Sequence, residues 1–179
     1  RSLKKYINDI FLERNITDYE IKKNIISNSV YWVDIEPWAI DIARLRFWLS
    51  LLVDTDKPEP LPNLEFKFVC ADTLTPLYDT KHTLDLYQND VMFGKYKFYM
   101  QKLFYPTKDY PKDESMSKLK HFISYFQGKD ETEFNQKLKT FDPFNSENSA
   151  KFFDPELMFG EEKFDIIIWN PPYIQLQKD

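Results

Sequence analysis

The residues with the clearest chemical potential in this 179-residue chain close an apolar run, "DIIIWNPPY", at 165–173. A residue before proline is driven toward extended backbone, which holds Asn170 at the exit of the run. Prolines have a fixed φ and no N–H, leaving stiff carbonyls without adjacent donors. The side-chain amide oxygen of Asn170 and the carbonyl of Pro171 can therefore form a fixed pair of acceptors. Such a pair suits an –NH2 group. Tyr173 adds an aromatic face for a planar ring, worth about 1–3 kcal/mol for a nucleobase. Together they describe a pocket for a planar heterocycle bearing an exocyclic amine. A tight turn with a packed tyrosine is the plain alternative for Pro171-Pro172 alone; the whole tetrapeptide directly after an apolar strand favours the pocket.

Two acids stand in comparable places. Asp34 ends "NSVYWVD" (28–34), and Asp72 lies within "CADTL" (70–74). A carboxylate at a strand end can accept from the two vicinal hydroxyls of a ribose. The simpler role for Asp34 is an acid at the entry of a helix, where the dipole favours negative charge, although Glu36 is the more ordinary helix-start acid. Asp72 can bind an adenine amine or merely form a turn. Cys70 reads as a small buried residue.

Positioning these groups requires a sheet. Residues 3–14 and 18–27 read as helices, the second opened by a capping box, Thr17-x-x-Glu20. The strand 28–34 leads into "EPWAIDIARLRFWLSLLVD", with Pro37 suited to a first helical turn and apolar residues on more than one face. A proline-rich connection, 56–62, precedes a second strand at 64–72. Between Thr73 and about Phe152 the pattern becomes helical and aromatic-rich (81–104, 113–127, 130–140), an insertion. "KFDIIIWN" (163–170) reads as a third, buried strand. This order predicts an α/β fold with parallel strands and right-handed crossovers, whose ligands collect at the carboxyl ends of the strands. Asp34, Asp72 and Asn170 all fall at such ends.

The length suits about one domain with a real core. The net charge of −5 argues against non-specific coating of nucleic acid while leaving room for a local basic groove. With one cysteine, no internal disulfide is possible, and a reducing compartment is the default. His82 and His121 stand apart, and no spacing suggests a metal site. No signal peptide or membrane span is expected: the most apolar stretch, Ala39 to Val53, carries Asp41, Arg44 and Arg46.

Four segments, "VYWVDIEPWAIDIARLRFWLSLLVD", "LPNLEFKFVCADTL", "FFDPELMFG" and "FDIIIWNPPY", resemble the methyltransferase region of adenine-N6 DNA methyltransferases. The nearest type is the large single-chain restriction-modification enzymes in which methylase and nuclease are fused (type II). The resemblance covers roughly 18–76 and 150–179, in the family's order. The NPPY tip alone is shared with glutamine-N5 and RNA guanine-N2 methyltransferases; the block around Asp34 and "FFDPELMFG" shift the weight to the DNA enzymes. The resemblance implies a partial Rossmann-like, class I S-adenosylmethionine-dependent sheet with a helical insertion. Its implied parts are a first core segment at 1–72, the insertion at 73–152, and a core strand ending in NPPY at 153–179.

It also implies roles. Asp34 binds the ribose hydroxyls of S-adenosylmethionine and Asp72 the adenine amine of that cofactor, with Ile35 and Thr73 beside them in the cofactor site. Asn170 and Pro171 hold N6 of the target adenine, Tyr173 stacks on the base, and Pro172 belongs to the same catalytic tip. The partner is double-stranded DNA, from which the adenine must be flipped; the setting is the prokaryotic cytoplasm. Trp32 and Trp169 depart from the pattern, standing where the family usually has glycine. The family's glycine-rich cofactor loop has no counterpart here, and the chain starts with Arg1 instead of Met. Both suggest an internal piece of a larger enzyme, expected to bind the cofactor poorly and not to methylate alone; low-micromolar affinity by calorimetry would contradict that.

Three other readings compete. One keeps the tip and changes the substrate to glutamine or RNA; assays of the intact protein on duplex DNA, RNA and protein separate these. A second takes Asp154 and Glu161-x-Lys163 as a nuclease metal triad, tested by metal-dependent cleavage and its loss in Asp154→Ala. The third is a non-catalytic module pairing through an exposed sheet edge. Lys95, Lys97, Lys102, Lys118 and Lys120 of the insertion are candidate DNA contacts, or simply its solvated face.

Overall fold

Thr17 caps the first described helix, as its spacing from Glu20 demands. Its hydroxyl accepts from Glu20 N (3.2 Å), while Glu20 Oε2 accepts from Thr17 N (2.8 Å), closing the capping box of helix α1, Asp18–Ser29. The computed structural model describes residues 16–57, 64, 66–77, 91–127, 133–145, 147–161 and 163–170. The expected helix at 3–14, most of the proline-rich connection, and Pro171, Pro172 and Tyr173 lie outside the described residues.

Strand β1 spans Trp32–Asp34 and leads into helix α2, Pro37–Leu52, with Pro37 in its first turn. There its missing N–H costs nothing. Strand β2, Phe68–Cys70, pairs parallel with β1 in the register Trp32↔Phe68, Val33↔Val69, Asp34↔Cys70. Helices α3 (Val91–Phe104), α4 (Lys112–Gln127) and α5 (Glu133–Leu138) follow, then a short helix α6, Pro155–Phe159. The chain is thus a mixed α/β structure with a small parallel sheet.

Side-chain alternation makes β2 a partition. Phe68 and Cys70 join Ile26, Ile40, Ala43 and Leu51 in a core against α1 and α2. Val69 and Ala71 join a larger core built from α3, α4, α5 and α6, with Tyr96, Met100, Leu103, Leu119 and Phe152 almost wholly buried. Helices therefore cover both faces of the sheet. The second edge of β2 is occupied as well: Ala150 N donates to Cys70 O and Asp72 N to Ala150 O, both at 2.9 Å. Small side chains at Ala71 and Ala150 let these backbones meet.

Helix α6 is the segment "FFDPELMFG" folded. Asp154 caps it by accepting from Leu157 N (2.8 Å), Pro155 starts it, and Gly160 ends it in the left-handed region at φ 71°. Leu157, Met158 and Phe159 are buried, and Tyr96 donates its hydroxyl to Leu157 O at 2.9 Å.

One expectation needs correction. Residues 163–170 form no strand, and Ile166, Ile167 and Ile168 are 80%, 77% and 94% exposed. Apolar β-branched residues favour a strand only when a neighbour supplies the ladder and a face to pack on. Among the described residues nothing pairs with them: β1 is bonded to β2 on one edge, and β2's free edge is taken by Ala150. Helix α2 buries one stripe, Ile40, Ala43 and Leu51, and leaves Trp38, Ile42, Leu45 and Leu49 exposed at the same helical spacing.

Candidate functional site

The parallel pairing brings the two acidic tips to one end of the sheet. Asp34 is the last residue of β1, opposite Cys70, and its carbonyl accepts from Ala71 N (2.9 Å), so Asp72 lies just beyond. The sequence expectation for Asp34 and Asp72 as neighbouring strand-end acids is met geometrically.

The two carboxylates differ in what holds them. Asp34 Oδ1 accepts from Glu36 N (3.0 Å), a short turn into α2; its other oxygen has no partner among the described residues. Asp72 uses both oxygens in its own turn, Oδ1 accepting from Leu74 N (2.9 Å) and Oδ2 from Thr75 Oγ1 (2.8 Å). Each oxygen still has a lone pair to offer a ligand. Ile35 is exposed beside Asp34, and Thr73 is exposed beside Asp72. Beneath them Cys70 donates its thiol to Ile35 O (3.3 Å), and burial pushes that thiol's pKa up, which makes it an inert packing group.

Asn170 is exposed at the end of the isoleucine run and makes no hydrogen bond among the described residues. Trp32 does not crowd the tips. Its ring packs edge-to-face on Phe47 of α2 (6.4 Å between centroids), on the helix side of the sheet. Trp169 is exposed.

Two members of the proposed nuclease triad are otherwise employed. Asp154 is a partly buried helix cap, its pKa raised by desolvation against the opposing pull of the Leu157 N–H and Lys97. Glu161 accepts from Tyr31 Oη at 3.1 Å. Of the candidate DNA-contacting lysines, Lys97 pairs inward with Glu156, and Lys102 lies over the rings of Phe98 and Tyr110.

Sequence reasoning missed one buried group, Lys67. It is 2% exposed, sits at the entry of β2, and places Nζ 4.5 Å from the Tyr31 ring centroid and 5.7 Å from that of Phe104. Nζ has no hydrogen-bond partner, and burial lowers its pKa, opposed by the nearby Glu161. Burial and the negative charge of Glu161 in turn raise the Tyr31 phenol well above its usual range. The signal was faint: in "LEFKFVC" the lysine sits within an apolar run, a position usually read as solvent-facing.

Residues 28–179 match the family model described as Eco57I restriction-modification methylase. A putative type II restriction enzyme and methyltransferase from Methanocaldococcus jannaschii is 35% identical over 74 residues, 38% of this chain and 6% of that protein. The chain thus corresponds to a small part of that relative's length. No solved structure matches it.

Proposed function

The chain belongs to the Eco57I restriction-modification methylase family, and from that premise we propose that it is the base- and cofactor-contacting segment of a site-specific DNA adenine-N6 methyltransferase. The methyl donor is S-adenosylmethionine, the substrate is adenine in double-stranded DNA, and the setting is the prokaryotic cytoplasm. The sheet is part of a Rossmann-like, class I arrangement. The observation that carries this reading is the convergence of Asp34 and Asp72 at one end of a parallel sheet.

The residues fit such a donor. A carboxylate with an open oxygen at Asp34 suits vicinal hydroxyls, exposed Ile35 offers an apolar surface, and Asp72 with Thr73 offers acceptors to an amine. When bound, the cofactor supplies an electrophilic methyl on a sulfonium.

The side-chain oxygen of Asn170 and the carbonyl of Pro171 accept hydrogen bonds from the two N–H groups of the adenine amine, one of whose protons passes to water once the methyl is bound. That nitrogen's lone pair is delocalised into the ring, and two fixed acceptors favour a pyramidal, more nucleophilic form. They also stabilise the positive charge that develops as the methyl is taken up. Pro172 stiffens the turn, and Tyr173 stacks on the ring after flipping, keeping the amine in line with the methyl. No strong general base is required.

The test uses the intact parent protein. Asn170→Ala is expected to abolish methyl transfer to duplex DNA while leaving cofactor affinity within about threefold, because the lost contact acts on the base. Asp34→Ala is expected to weaken cofactor binding about tenfold or more. Equal loss of transfer and cofactor affinity on Asn170→Ala would contradict these assignments.

A further inference from the structure

A cavity of about 390 Å³ lies beside β2, lined from α2, α4 and loop residues 141–145 and 148, and none of the candidate ligand-contacting residues above lines it. Its size is that of small-molecule sites.

Its lining is rich in donors. Arg44, from α2, is fixed at the wall by bonds to Asp41 Oδ1 (3.4 Å) and Phe68 O (3.3 Å). Lys120, exposed on α4, places Nζ 5.0 Å from the Phe144 ring centroid, and no carboxylate among the described residues pairs with it. The loop contributes the amides of Asn145 and Asn148. The Asn145 side-chain oxygen accepts from Glu147 N (2.9 Å), which anchors that amide in the loop. The one carboxylate in the lining, Asp142, is held by its own loop through Oδ1, which accepts from Phe144 N (2.9 Å).

Two aromatic rings, Phe66 and Phe144, meet edge-to-face in the same wall, 5.8 Å between centroids. Lys112 Nζ stands 5.8 Å from the Phe66 ring. The cavity lining therefore combines aromatic rings, two asparagines and the cations Arg44 and Lys120, within a chain whose net charge is −5. A ligand complementary to it is planar, rich in acceptors and anionic.

We propose that this cavity binds a nucleotide unit, with the base against Phe144 and its acceptors toward Asn145 and Asn148, and the phosphate at Lys120 and Arg44. The unit comes from a free nucleotide or from a DNA strand. A thymine ring is the sharper probe. It has two carbonyl acceptors for the amides and no exocyclic amine for the acceptor pair assigned at Asn170.

Calorimetric titration of the 179-residue chain with dTMP, thymidine, inorganic phosphate and a short single-stranded oligothymidylate tests this. The expected result is dTMP binding about tenfold tighter than either thymidine or phosphate. Lys120→Ala is expected to weaken it about tenfold, and Phe144→Leu about fivefold or more through lost stacking. Lys120 is exposed, so its substitution leaves folding intact, as circular dichroism will check. An oligonucleotide bound at least tenfold tighter than dTMP, and sensitive to the same two substitutions, identifies a DNA strand as the source; equal affinities identify the free nucleotide. No binding of either, affinity for thymidine equal to dTMP, or binding unmoved by both substitutions overturns the proposal.

Discussion

Replacing Lys67 by methionine tests whether the aromatic pocket around it stabilises or burdens the fold. Methionine has a similar length and fills the same space without charge. Two effects oppose each other. The rings of Tyr31 and Phe104, 4.5 and 5.7 Å from Nζ, attract the ammonium, an interaction of about 2 kcal/mol when desolvated. Against it stands the loss of hydration of an ammonium that is 2% exposed and makes no hydrogen bond, several kcal/mol after relaxation. Desolvation wins by this comparison, in agreement with the lowered Lys67 pKa. The expected gain for Lys67→Met is about 2 kcal/mol at pH 7, or a Tm rise of about 4–8 °C at this chain length.

The pH dependence supplies a second readout. Because the folded pKa of Lys67 lies below its unfolded value, the unfolded chain holds more protons between the two. Wild-type stability therefore rises with pH through that window, and below it the full cost remains. The advantage of Lys67→Met is expected to be largest at neutral pH and to shrink as pH approaches the unfolded lysine value. Urea unfolding of both proteins at neutral and at alkaline pH measures this. A variant less stable than wild type at pH 7, with a difference independent of pH, would refute the reasoning and make the ring contacts dominant.

Asp154→Ala removes the cap of α6 and is expected to cost about 1 kcal/mol in urea unfolding, whereas Asp154→Asn keeps a capping oxygen without a buried charge and is expected to match or exceed wild type. Gly160→Ala faces no crowding, the nearest atom to its new Cβ being Met100 Cβ at 3.7 Å; its cost is the left-handed backbone alone, about 1 kcal/mol. Thr17→Ala opens the capping box of α1 and is expected to lose about 1 kcal/mol, with Thr17→Ser retaining most of it. Amide exchange is expected to be fast at Ile166–Trp169, which carry no ladder, and slow at Ala71 and Ala150, whose N–H groups are bonded inside the sheet.

What could be read in advance was local. Thr17 with Glu20, Pro37 and the acids after two short strands each act within a few residues, so their types were enough. The isoleucine run was misread because a strand is a property of a pair: composition specified its preference, and only a neighbour realises it. The faces of β2 were equally hidden, since Phe68, Val69, Cys70 and Ala71 are all apolar and no alternation marks which side meets which helix. Lys67 and the cavity of Arg44 and Lys120 depend on segments brought together from distant parts of the chain. At the candidate site, the acids were legible as a pair because parallel pairing puts like ends together. The bonds that occupy Asp72 were not, because they depend on the turn's geometry.

The partition formed by β2 has a consequence for how the chain folds. Its two cores share a single strand, so neither layer can melt and leave the other's wall intact. Val69 and Ala71 are covered only when helices encoded far downstream have docked, and the Ala71–Ala150 pairing closes a long loop. Loop-closure entropy must be met before that contact gives anything back, which makes folding slow and places the docking of α3 and α4 late. The carboxyl end of β2, where Asp72 sits, is fastened by that long-range pairing, Asp72 N donating to Ala150 O. Readiness of the acidic tips for a ligand is thereby tied to completion of the helical layer behind them.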